Sequence, residues 1–349
     1  MLKKNIFTVE HIRKLQMDTR CDPSLLERVV YAFGLLEALS LTGLDFVFKG
    51  GTCLILLLPE PKRLSTDIDI LVKSNTYIND YIQKAAEIFP FVSYEEQVRK
   101  RKNNIVKSHF KFIYESPLKN DIFHILLDVV YEEGHYLETK THEIDNTFLE
   151  VKDPAVFVKV PTINGIMGDK LTAFAPNSIG IPFGIDKELE IIKQFYDIAT
   201  LFEMINNLGE VKTTYERIAR SVIKYRNLND YDTSKTLWDS FNSAITIVGR
   251  GKINKSEHIM LSDGIKRVRE HIINGKYSLV VAEKQACRVA YLVASIITEK
   301  SELMKITDAQ QYLDKFITHP IYSKLNHIKK VSLIDFAYLY EAIMILFPS

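Results

Sequence analysis

The chain has 349 residues, 46% hydrophobic and 26% charged, enough apolar matter for more than one core and enough charge to keep the surface wet. The 45 Lys and Arg against 44 Asp and Glu leave a formal net charge of +1, which excludes a globally basic nucleic-acid coat and an acidic disordered tail. Cys21, Cys53 and Cys287 are widely spaced and form no C-x-x-C pair, which argues against a disulfide scaffold or zinc knuckle and fits a reducing cytoplasm.

Along the chain, the N-terminus lacks the apolar run of a signal peptide. Asp22-Pro23-Ser24 offers a helix start, and Leu25, Val29, Phe33, Leu36 and Leu39 keep helical spacing to about Leu41. Asp45–Lys49 reads as a short strand broken by Gly50-Gly51, Thr52–Leu58 as a short helix stopped by Pro59 and Pro61, and Thr66–Val72 as a strand by its acidic–apolar alternation. A helix over Tyr77–Phe89 and strands around Phe91–Gln97, Val106–Tyr114 and Ile122–Tyr131 complete the first part.

From Ile163 the strand signals fade and helical periodicity takes over: Gly165–Phe174, Lys187–Asn206, Tyr215–Tyr225, Thr233–Val248, His258–Asn274, Ser278–Lys300, Asp308–Phe316 and Leu333–Leu346. A loop with Pro176, Gly180, Pro182 and Gly184 interrupts the first two. The most apolar stretch, Ser278–Thr298, carries Glu283, Lys284 and Arg288, which reads as a buried amphipathic helix and not a membrane span. The expectation is an α+β protein: a mixed-sheet α/β domain over residues 1–160 and an all-helical domain over residues 161–349.

The chemistry concentrates in Phe48-Lys-Gly-Gly-Thr-Cys-Leu54 and Arg63-Leu-Ser-Thr-Asp67-Ile-Asp69-Ile70. An Asp-x-Asp pair is weak evidence by itself, and Asp230-Tyr-Asp232 is a second one. Asp67 and Asp69 differ in alternating with Ile68 and Ile70, so on a strand both carboxylates project from one face while the isoleucines enter the core. Two adjacent carboxylates repel unless a cation lies between them, and a divalent metal removes that cost. Asp230 and Asp232 lack the alternation and sit among Asn227, Asn229 and Ser234, as in a solvated turn. Gly50-Gly51-Thr52, between a strand and a helix start, allows close backbone approach and offers N–H groups, with the Thr52 hydroxyl, to a phosphate. Together these features describe a site for a Mg²⁺-bound nucleoside triphosphate. Asp128, alone in the apolar run Ile125–Tyr131, is the candidate third carboxylate of a two-metal site. The nine histidines show no H-x-H or H-E-x-x-H spacing, which argues against zinc.

The string Lys-Gly-Gly-Thr-x-Leu followed by Arg-x-Ser-x-Asp-Ile-Asp-Ile resembles the DNA polymerase β-like nucleotidyltransferase superfamily. A second block, Gly168-Asp-Lys170-Leu-Thr-Ala-Phe174 and then Ile192-Lys193-Gln-Phe-Tyr196-Asp197-Ile198, makes the resemblance one to the AbiEii/AbiGii family, the toxins of bacterial type IV toxin–antitoxin and phage-defence systems. The likeness runs from about residue 40 to residue 205. It implies a nucleotidyltransferase-type first domain, with the helical domain contributing Lys170 and the Lys193–Asp197 helix to its site. It further implies Asp67 and Asp69 as Mg²⁺ ligands with Asp128 as third carboxylate, Gly50, Gly51, Thr52 and Ser65 on the triphosphate, Lys170 neutralising it, and Lys193 and Asp197 lining the far wall. Where the family commonly has Asp after the basic residue, this chain has Gln194.

The same resemblance implies an NTP donor, an RNA acceptor (often tRNA), release of pyrophosphate and a separate antitoxin. Arg99-Lys-Arg-Lys102 with Lys107 and Lys111, and Arg250–Lys255 with Lys266, Arg267 and Arg269, are the basic patches that could hold RNA phosphates. Rival readings are transfer onto a small molecule of the antibiotic type, transfer onto a protein, and a non-catalytic module that binds nucleotide, RNA or a partner.

Overall fold

The computed structural model describes residues 1–97 and 107–348. They fall into two compact units, one of Met1–Thr162 with Glu270–Gly275, the other of Ile163–Arg269 with Lys276–Ser349.

The first unit opens with α1 (Val9–Thr19) and α2 (Pro23–Leu41). The Thr8 side chain caps α1 by accepting from the His11 N–H, and Asp22 caps α2 by accepting from Leu25, with Pro23 in the first turn where a missing N–H is harmless. There follow β1 (Val47–Lys49), α3 (Gly50–Leu57), β2 (Ile68–Val72), α4 (Asn79–Ala86), β3 (Ser93–Glu96), β4 (Lys107–Ser116), β5 (Asp121–Tyr131), β6 (Thr139–Glu143) and β7 (Phe157–Pro161). These strands make one sheet in the order β3-β4-β5-β2-β1-β7-β6. It is mixed: β2 runs parallel to β5 and antiparallel to β1, and β7 parallel to β1.

Side-chain alternation decides which face of this sheet is core. Ile68 and Ile70 of β2, Ile125, Leu127 and Val129 of β5, and Phe110, Phe112 and Tyr114 of β4 are buried, and α2, with Leu26, Val29, Val30 and Phe33 buried, packs on β2 and β5. The intervening Asp69, His109, Lys111, His124, Leu126 and Asp128 are only half-buried on the opposite face. The candidate acids thus stand on a wall whose other side is closely packed.

The second unit contains α5 (Ile163–Ala173), α6 (Glu188–Leu201), α7 (Leu208–Tyr225), α8 (Thr233–Val248), α9 (Lys255–Arg267), α10 (Leu279–Ile297), α11 (Ile328–Val331) and α12 (Leu333–Leu346). Asn207, Asp232, Asn254, Ser278 and Ser332 each accept an N–H at a helix start. Asp232 therefore has a capping role, as its turn-like surroundings suggest. Gly168 lets α5 approach α7 closely, since a Cβ there would stand 2.7 Å from the Val211 carbonyl oxygen. Among the described residues no helix is long and apolar enough to cross a membrane, and Glu283 in α10 is fully buried against Arg250 through two short bonds of 2.5 and 2.6 Å.

The structure departs from the expected elements by additions and by shortened helices. Helices α1 and α11 and strands β6 and β7 add to them. The helix expected over His258–Asn274 ends as α9 at Arg267, passes through a 3-10 turn over Val268–His271, and gives way to extended chain. Asp308–Phe316 holds only a 3-10 turn, Gln310–Tyr312. The basic run Arg99–Lys102 lies outside the described residues.

Candidate active site

The turn from β1 into α3 is built on close approach. Gly50 has φ +84°, and a Cβ on it would lie 2.1 Å from Asp69 Oδ2, so the glycine is required both by its backbone angle and by the carboxylate beside it. A Cβ on Gly51 would lie 2.6 Å from both the Ser65 hydroxyl and the Arg63 Nη2. The diglycine, Ser65, Arg63 and Asp69 are thereby gathered around the start of α3, whose first N–H groups have no partner within their own helix. Thr52 is fully buried, and its hydroxyl donates to the Asp67 carbonyl oxygen at 2.6 Å, pinning the chain that leads into β2.

That leading chain is also held from far along the sequence. The Leu64 N–H donates to the His271 carbonyl at 2.7 Å and the Ile273 N–H to the Lys62 carbonyl at 3.1 Å, with Arg63 and Ile272 paired antiparallel between them. Arg63 is buried, and its guanidinium also donates to the Leu64 carbonyl oxygen.

Asp69 and Asp128 are direct partners in the parallel β2–β5 ladder, side by side on strands about 4.8 Å apart, while Lys49 is the partner of Asp69 on β1. Asp67 stands just before β2. Each of two acids has a basic neighbour: Arg28 of α2 lies 3.7 Å from Asp67, and His109 of β4 bonds to Asp128 Oδ1 through Nδ1 at 2.6 Å. The Lys107 residue is exposed, yet its ammonium is held below the ordinary lysine range, first by loss of water, then by Lys49, against the pull of Asp128, Glu132 and Asp69. His124 is likewise lowered, by burial first and then by Lys111 and Arg28.

Among the described residues no three His, Cys, Asp or Glu side chains form a group able to hold a metal as they stand. The donor set nevertheless suits magnesium in kind. Asp67, Asp69 and Asp128 carry hard oxygen donors, the latter two are in register, and the cradle against Gly50 keeps a carboxylate where a Cβ would otherwise be.

The second block lies in the helical unit. Lys170 of α5 and Asp197 of α6 form an ion pair at 2.9 Å, with 6% and 2% of the two residues exposed. Gln194 accepts a further bond from Lys170 Nζ at 3.0 Å, so the residue that departs from the family pattern is part of the same cluster. Lys193 is half-buried on the same helix. Two of the three donors of the ammonium are thus accounted for within this unit. Of the second basic area, Arg250 is taken up by Glu283 and Arg267 by Asp186 and Asp263.

Arg28, His109 and Lys49 join the candidate site without having been singled out from sequence. Lys49 was adjacent to the diglycine, but the positions of Arg28 and His109 depend on the packing of α2 and on the register of β4 against β5, which no local pattern gives.

A strand-to-helix diglycine turn pressed against an acid of the next strand, within a mixed sheet backed by helices, defines a nucleotidyltransferase-type unit. Residues 34–263 match the family model for nucleotidyl transferase AbiEii toxin of type IV toxin–antitoxin systems. The match takes in well over half of the chain, and the protein belongs to this family. The family brings with it nucleotidyl transfer, a nucleotide substrate and an antitoxin partner. Among curated proteins none matches in sequence. Similar solved structures include JHP933 from Helicobacter pylori, with 14% identity over 78% of this chain and 93% of that one and a TM-score of 0.44. Another is an antigenic nucleotidyltransferase-like protein from Paracoccidioides brasiliensis, with 16% identity over 58% of this chain and 91% of that one and a TM-score of 0.36.

Proposed function

We propose that this protein transfers a nucleotide from a Mg²⁺-bound NTP to an RNA acceptor, tRNA foremost, and serves as the toxin of a phage-defence toxin–antitoxin system in the cytoplasm. The observation that carries the reading is the register of Asp69 with Asp128 beside the Gly50 cradle. Asp67, Asp69 and Asp128 would hold the metal, which supplies charge neutralisation of the phosphates when bound. The N–H groups of Gly50, Gly51 and Thr52, with the Ser65 hydroxyl, bind and orient the triphosphate. The hydroxyl of Thr52 positions Asp67 instead of touching the donor. An acceptor hydroxyl attacks the α-phosphorus in line, the bond to the β-phosphate bridging oxygen breaks, and pyrophosphate leaves. Asp128 takes up the hydroxyl proton. The family resemblance alone assigns Lys170 to the phosphates, as the cation that would neutralise their charge; within the helical unit Asp197 and Gln194 fix its ammonium, and Lys193 lies on the same helix as these two.

The test is transfer of label from each α-labelled NTP, with Mg²⁺, onto total bacterial RNA, an antibiotic panel and protein. Labelled RNA that disappears with Asp69→Ala, in a protein that melts as the parent does, is the expected result. Unchanged labelling by that variant overturns the assignment of the acids, and label found only on an antibiotic or a protein overturns the acceptor.

A further inference from the structure

His109 stands outside every motif that identifies the family, yet it bonds directly to one of the three candidate acids, Asp128, at 2.6 Å. It sits on β4 as the direct cross-strand partner of Asp128, with 14% of its side chain exposed against 36% for the aspartate. A carboxylate can only accept, so Nδ1 carries the hydrogen and donates it, which also fixes the ring's tautomer when neutral. Among the described residues this is the one hydrogen bond to the Asp128 side chain, and it engages Oδ1 alone. Oδ2 accepts no hydrogen bond among the described residues. The neighbouring strand on the other side presents Asp69 at the same level. An aspartate carboxylate turns about two bonds, Cα–Cβ and Cβ–Cγ, and anchoring one of its oxygens restricts the direction of the other. Such outer partners of ligating groups set orientation and basicity.

We propose that His109 is a positioning residue: through Nδ1 it holds Asp128 with its free oxygen turned to the shared edge of β2 and β5, and so sets the third ligand of the acidic centre. The inference rests on Asp128 being a ligand, as argued above. It makes a side-chain-specific demand. Asn at 109 can place an amide N–H near the position of Nδ1 and keep the anchor, whereas Ala cannot.

The experiment compares the parent, His109→Ala, His109→Asn and Asp128→Asn as full-length proteins. Binding of Mn²⁺ in the presence of a non-hydrolysable NTP is followed by loss of the free-ion electron paramagnetic resonance signal, and transfer of label to total RNA is measured alongside. His109→Ala should weaken Mn²⁺ binding about 10- to 100-fold and lower kcat, leaving the KM for NTP within about 3-fold, and His109→Asn should recover most of both. Asp128→Asn should lose at least as much. If His109→Ala binds Mn²⁺ as well as or better than the parent while Asp128→Asn binds poorly, the positioning role is wrong and the ligand assignment stands. If Asn rescues no better than Ala in proteins that melt normally, the hydrogen bond is not the cause. If Asp128→Asn itself binds as the parent does, the ligand assignment fails and the inference with it.

Discussion

Replacing Gly50 by Ala tests how far the acidic centre depends on the diglycine turn. The added Cβ would lie 2.1 Å from Asp69 Oδ2, where ordinary contact begins at 3.4 Å, so the carboxylate or the turn must move by about 1 Å or more. Misplacement on that scale costs on the order of 100-fold in rate. The φ of +84° adds a backbone penalty of about 1–2 kcal/mol. Gly43 provides the internal reference. Its φ is +80°, and a Cβ there meets nothing within 4 Å, so Gly43→Ala carries the backbone penalty alone. Both variants should therefore melt lower by ~2–8 °C, Gly50→Ala by the larger amount. Only Gly50→Ala should lose nucleotide transfer, by about 100-fold, and Mn²⁺ binding with it. The two are compared by thermal unfolding and by labelled-NTP transfer. Equal losses of stability with full transfer in Gly50→Ala would refute the claim that the glycine exists to seat Asp69.

Two further perturbations probe buried charge. Lys170→Met leaves the Asp197 carboxylate buried without its ammonium, and denaturant unfolding should show a loss of about 3–5 kcal/mol, much of it recovered in Lys170→Met/Asp197→Leu; equal losses in the single and double variants would contradict this. Glu27 of α2 is buried against the Ser116 hydroxyl, and burial pushes its carboxyl up. A raised acid keeps its proton longer in the folded state than in the unfolded chain, so its ionisation destabilises the fold as pH climbs from the ordinary carboxylate range through the raised value. Glu27→Gln should accordingly raise the melting temperature near pH 8 and give no advantage near pH 3.5, and a gain of equal size at both would refute the titration argument.

The sequence revealed those parts of the fold whose side chains report their own burial. β2 and β5 were legible because Ile68 and Ile70, and Ile125, Leu127 and Val129, alternate with polar residues across a sheet with one core face. β6 escaped because Thr139-Lys-Thr-His-Glu143 is an exposed edge strand with no apolar side to show. β7 is short and ends at Pro161, and only Val158, Val160 and Pro161 are buried. Polar α1 carries its signal in the Thr8 cap more than in its composition. At the candidate site, the acids and glycines stood out in the sequence by residue type and spacing, since a metal or phosphate site would restrict both. Their partners could not. Arg28 reaches Asp67 from a helix, and His109 reaches Asp128 across a ladder, and both depend on tertiary register. Gln194 was visible as an exception, and its bond to Lys170 shows that an amide oxygen can serve the same ammonium.

The antiparallel clasp between residues 62–64 and 271–273 makes the sheet-bearing unit discontinuous along the chain. Cutting the polypeptide after Thr162 would remove a rung of backbone hydrogen bonding from the very segment that delivers Arg63, Ser65 and Asp67. A minimal fragment of this half therefore needs Glu270–Gly275 grafted back through a linker, and splitting the gene at the apparent border would yield an incomplete module.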